Sequence, residues 1–307
     1  MVLLAVDRVN AAERSLAPGR SRRHFSNILV QERTRCAPVC SLSSSAPPRS
    51  RSPPKVARAR SDAEGKHAEA RAIFEALIAN APNAADRAAA QRRLAMSYGY
   101  DANCAKVIAL EEQVIAYWVT RRAEEPQNAH YQEGEMANEA ARVCIDHGFL
   151  DEAERYYRRG TELGNREPAP RTHPKSLWDF RLAHALARIA ARRGDTASAT
   201  RHVAEARRIL DSDAEMAKAQ EQYFPYLEGY VAFFTNDLAT AEARFTATSQ
   251  QMRNDPFQLV LLGMTYEKMG QQATATELFE HAYAASTGSS PPNIYSRYFT
   301  GQKLGKR

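Results

Sequence analysis

The chain has 307 residues, 44% of them hydrophobic, enough for one large domain or an elongated array. Ala is abundant, whereas the 14 Gly and 15 Pro are sparse and clustered, which favours helix over sheet; no apolar run reaches the roughly 18 residues of a membrane span. The formal charge of +6 is uneven: residues 1–60 hold 12 Arg and Lys against Asp7, Glu13 and Glu32, so the rest carries 30 basic and 33 acidic side chains. A nucleic-acid reading of the pI therefore rests on that tail alone.

In chain order, residues 1–60 come first. "GRSRRHFSN" and "CSLSSSAPPRSRSPPK" have neither helical nor strand period and cannot bury enough apolar surface to offset chain entropy. The segment is expected to be disordered. Three readings stand: a basic arm for nucleic acid or an acidic partner, an inert or regulatory tail, or sequence upstream of the natural start. "MVLLAV" is too short for a signal-peptide core as written, and Asp7 interrupts it.

From residue 61 to 290 a grid of small and large residues recurs. From Gly263, offsets of 3, 7, 12, 16 and 19 give Tyr266, Gly270, Ala275, Phe279 and Ala282. From Ala141 the same offsets give Cys144, Gly148, Ala153, Tyr157 and Gly160; from Ala187, Ala190, Gly194, Ala199, Val203 and Ala206; from Gly229, Ala232, Asn236, Ala241, Phe245 and Thr248. Offsets 0, 3 and 7 share one helical stripe, as do 12, 16 and 19. Gly or Asn at offset 7 ends a first helix in a left-handed cap, and a second helix follows. Small residues let the two antiparallel helices approach while aromatics fill the remaining space. Such hairpins bury their apolar faces only by stacking.

This pattern resembles the tetratricopeptide repeat, with Gly263, Tyr266, Gly270, Ala275, Phe279 and Ala282 at that family's consensus positions. The resemblance covers roughly residues 65 to 286 and implies an all-α, irregular solenoid of helical hairpins and a protein-binding role. A half unit precedes (Gly65, Ala70, Phe74, Leu77). A weak unit follows it (Leu94, Ala95, Tyr98), whose second helix, "CAKVIALEEQVIAYWVTRR", fits the grid poorly. Spacings of 46, 46, 42 and 34 residues between units make the array irregular. Residues 291–307 are expected to form a capping helix over the end of the core, with Ile294, Tyr295, Tyr298 and Leu304 inward.

No phosphate-cradling glycine loop, dinucleotide fingerprint or His-Glu-x-x-His run occurs, so no cofactor, metal or enzyme activity is expected. His130, Glu133, Glu135 and Glu139 approach metal-ligand spacing but read as a solvated polar face. Cys104 opens one helix and Cys144 closes the next unit's first helix. Antiparallel packing brings them level, as two buried thiols or as a disulfide, which would place the protein outside a reducing cytosol; otherwise it is cytoplasmic.

The stripe beside the packing stripe of each first helix is expected to line a concave groove. It presents Asn138 and Arg142, then His184, Arg188 and Arg192, then Tyr226 and Tyr230, then Met264. Guanidinium groups beside an aromatic ledge suit an extended peptide or partner protein. Binding of nucleic acid or an acidic partner through the basic tail is the alternative.

Overall fold

A computed structural model describes Asp62 and residues 64–247 and 254–306. The expectations for residues 1–60, and the grid position Thr248, lie outside those residues. The described chain is all-helical, with no strand. In chain order the helices are α1 (His67–Ala79), α2 (Ala84–Gly99), α3 (Cys104–Arg121), α4 (Pro126–Asp146), α5 (Leu150–Asn165), α6 (Lys175–Arg192) and α7 (Thr196–Ser212). A short α8 (Ala214–Gln220) and one 3-10 turn lead into α9 (Phe224–Phe234). Then come α10 (Leu238–Thr246), α11 (Pro256–Lys268), α12 (Gln272–Ala285) and α13 (Pro291–Lys303).

Local chemistry sets these boundaries. Asn83, Asn103, Asp195, Asp237 and Asp255 each accept a backbone N–H of the first turn, satisfying an orphan donor, and Pro126, Pro256 and Pro291 open helices where a missing N–H costs nothing. First helices end where Gly148, Gly194 and Gly270 take positive φ. Asn236 does the same at φ 67°, in the left-handed region that Asn tolerates.

Consecutive helices pack as antiparallel pairs: α4 on α5, α6 on α7, α9 on α10, α11 on α12. The small positions lie at their contacts. Ala141, Ala153, Ala187, Ala199, Ala206, Ala241, Ala275 and Ala282 are all fully buried. A Cβ built on Gly229 would stand 2.8 Å from the Phe245 ring, and one on Gly263 2.5 Å from Phe279. The aromatic at offset 16 therefore occupies the space that glycine at offset 0 leaves.

The weak unit holds the same register. Ala102, seven residues after Ala95, takes φ 57°, and Val107, at offset 12, is fully buried. At offset 16, where the other units carry an aromatic or Val203, stands Glu111, fully buried. Burial, and then the neighbouring charge of Glu139, push its carboxyl well above the usual carboxylate range. An acid with a raised native pKa holds its proton more tightly folded than unfolded. Its contribution is complete below about pH 4.3 and declines as pH rises from there toward the raised value. Glu111→Gln is expected to stabilise the fold at pH 7, by on the order of 1 kcal/mol, and to flatten the pH dependence of thermal unfolding above pH 5. A variant no more stable at pH 7 than the parent would contradict this.

Helix α13 does more than cap α12. It also packs on α4 and α2, so the last described helix meets two of the earliest. Ile294, fully buried, fills the space beside Gly99 at 3.1 Å from a Cβ built there. The Tyr100 hydroxyl donates to the Gly288 carbonyl at 3.3 Å, and the His147 ring meets Tyr298 edge-on.

Candidate functional site

The inward stripe lies in a different environment from a surface face. Six of its eight members are buried: Asn138, Arg142, His184, Arg188, Tyr226 and Tyr230, each at 6% exposure or less. Arg192 and Met264 are half-buried. These six are therefore not exposed surface sites in this structure. The first helices α4, α6, α9 and α11 converge, and their inward side chains interdigitate: the Arg142 guanidinium lies 4.4 Å from the Phe257 ring centroid, and Tyr226 contacts both Tyr230 and Phe257. Met264 packs against the cluster that holds Tyr226, Tyr230 and Phe233.

Within this interior the side chains differ in partnership. Asn138 lies over the bare backbone of Gly160, at the α4–α5 contact, and its amide atoms have no hydrogen-bond partner. Arg142 pairs with Asp146 one turn on, Nε to carboxylate at 2.7 Å, both buried. Arg188 meets no carboxylate among the described residues. Its Nη2 donates to the Tyr157 hydroxyl at 3.0 Å, its Nε to the His184 carbonyl at 3.4 Å, and its Nη1 to nothing. Arg192 likewise has neutral partners, the Asp146 carbonyl at 3.3 Å and the Tyr230 hydroxyl at 3.5 Å.

His184 stacks on Tyr226, ring centroids 5.8 Å apart and nearly parallel, and neither ring nitrogen has a partner. Burial, reinforced by the charge of Arg188, holds its pKa well below the usual histidine range, so the ring is neutral at pH 7. Burial likewise pushes the Tyr226 phenol well up, and its hydroxyl is unpartnered. The Arg188 charge thus stands in the interior without a counter-charge, beside an imidazole and a phenol with free hydrogen-bonding capacity. Buried polar groups in native proteins are overwhelmingly paired, so an unsatisfied cluster of this kind needs an explanation.

The acidic face of α4 corrects a second expectation. Glu133, Glu135 and Glu139 are buried, not solvated, and each is answered by arginine from elsewhere. Arg122 donates twice to Glu133, Arg181 pairs with Glu135, and Arg92 clamps Glu139 through Nε at 2.6 Å and Nη2 at 3.1 Å. Among the described residues no cluster has the makings of a metal site.

Cys104 and Cys144 form a disulfide, with Cα atoms 5.1 Å apart, joining the start of α3 to the end of α4. No helix among the described residues is long and apolar enough to cross a membrane.

Sequence reasoning missed Trp178. It is fully buried and lies on Gly134 and Gly164, where an added Cβ would stand under 3.0 Å from its indole. The signal was present as Gly134, Gly160 and Gly164, small residues lying outside or at the edge of the grid. Comparison with protein-family models, with curated proteins and with solved structures finds no match.

Proposed function

We propose that the chain is a tetratricopeptide-like α-solenoid that binds a peptide or partner protein against the inward face of its first helices. The observation carrying this reading is the row of unsatisfied polar side chains, Asn138, His184, Arg188 and Tyr226, contributed by three successive first helices. Packing alone gives no reason to keep such groups on the inner face. Leaving a buried donor or acceptor unmade costs about 1–3 kcal/mol, which a ligand would recover. The recurring small-residue grid, and left-handed caps at offset 7 in five units, support the family resemblance. Tyr and Arg are also the residues that most often anchor interfaces.

Selection of a displayed peptide library on the full chain tests the reading. A related set of sequences is expected, bound about 5- to 30-fold more weakly by Arg192→Ala, equivalent to about 1–2 kcal/mol. Arg192 is suited to the test because it is half-buried and forms no ion pair. Failure to enrich any sequence, or peptides indifferent to Arg192, would overturn the proposal.

A further inference from the structure

We infer that the interior around Arg188 is an oxyanion-binding site, taking a carboxylate or phosphate group through Arg188 Nη1, the Tyr226 hydroxyl and a His184 ring nitrogen. The inference rests on the preceding reading and adds the ligand's chemistry to it. Three observations carry it together.

The first is charge. Arg142 is paired with Asp146, whose charge also reaches Arg192, but Arg188 is balanced by no carboxylate among the described residues. A buried cation without a counter-ion is among the most costly arrangements a fold can hold, and an anion is what relieves it. The second is geometry. Arg188, His184 and Tyr226 are each at most 2% exposed, and each retains an unpartnered polar atom. They come from two adjacent first helices, α6 and α9, and the rings of His184 and Tyr226 stack beside the guanidinium. Arg188 is held in place by its two other bonds, to Tyr157 and to the His184 carbonyl, leaving Nη1 as the uncommitted donor. The third is donor type. Guanidinium, phenol and a neutral imidazole all offer hydrogens to oxygen. Charge-assisted bonds of this kind are roughly twice as strong as neutral ones.

The walls restrict the ligand further. Tyr230 lies under Arg188, with the guanidinium carbon 5.8 Å from the ring centroid, and Phe257 lies against Tyr226. The anionic group should therefore be borne by a body with apolar or planar surface. The basic residues 1–60 are a poor occupant, because their charge repeats that of the site.

Thermal unfolding of the full chain at pH 7, in sodium acetate or sodium phosphate against sodium chloride of equal ionic strength, tests the inference. At about ten times the dissociation constant, the preferred anion should raise Tm by about 3–5 °C, and the two arms distinguish carboxylate from phosphate. Arg188→Met keeps the basic N-terminal stretch and removes the buried charge, so its Tm should not respond to either anion. Tyr226→Phe removes one hydroxyl while preserving the ring, and should require about 5- to 10-fold more anion for the same shift. Should Arg188→Met not fold, Tyr226→Phe decides alone. A wild-type Tm indifferent to both anions overturns the inference, as does an undiminished response in the variants. Peptide selection that succeeds while both anions fail removes the oxyanion site and leaves the binding role standing.

Discussion

Trp178→Ala is expected to destabilise the fold by about 3–5 kcal/mol, the range for deleting a large buried aromatic. The indole is fully buried near the start of α6, where it bridges to α4 and α5. It rests on Gly134 and Gly164, contacts Tyr131, and carries the Arg181 guanidinium 4.7 Å from its ring centroid. Losing it would also leave the Arg181–Glu135 pair without one wall. The reciprocal change, Gly164→Ala, places a methyl under 3.0 Å from the indole and should cost about 1–3 kcal/mol by overpacking. The two penalties share one contact, so they should not add. In the Trp178→Ala background Gly164→Ala should be close to neutral, since the methyl then enters the cavity. Chemical denaturation of the two single variants and the double variant measures this. Additive losses would mean that the glycine serves the backbone and not the tryptophan.

Removing the Cys104–Cys144 bridge is expected to have a comparable effect. It closes a loop across a sequence separation of 40 residues, for which the chain-entropy relation gives about 4 kcal/mol, with 2–4 kcal/mol the usual experience. Both cysteines are buried in the largest apolar cluster, so replacing both by Ala also removes two sulfur atoms from packing. Denaturation of the double-alanine variant, with and without reductant, separates the contributions. Reductant should lower the midpoint of the parent and leave that of the variant unchanged. A parent insensitive to reductant under conditions that open it would contradict a stabilising bridge.

The helical pairs were legible because their determinants are local. Gly148, Gly194, Asn236 and Gly270 mark left-handed turns, and Ala275 or Ala282 marks a close approach whatever the rest of the chain does. The second helix of the weak unit fitted the grid poorly because Ala102 replaces the capping glycine and Glu111 the aromatic. Both substitutions keep the geometry while changing the chemistry that advertises it. The inward stripe was legible as a set of residues but not as a buried one. What covers it lies far away in sequence: Phe257 over Arg142, Tyr295 beside Phe257, and Ile294 against α2. The carboxylates of α4 were misread for the same reason. Arg92 and Arg181 stand 47 and 46 residues from Glu139 and Glu135, and no periodicity within α4 announces them. Trp178 was missed because its glycine seat is divided between α4 and α5.

The meeting of α13 with α2 and α4 bears on the order of events during synthesis. In an array whose units touch only their neighbours, each pair is complete once its successor has emerged. Here the space beside Gly99 stays empty until Ile294, nearly two hundred residues later, leaves the ribosome. At roughly 5–20 residues per second that is a wait of about 10–40 seconds. Throughout it the apolar surface on α2 and α4 stays accessible to other chains. A nascent chain halted before residue 290 should therefore bind general chaperones that the finished protein no longer attracts.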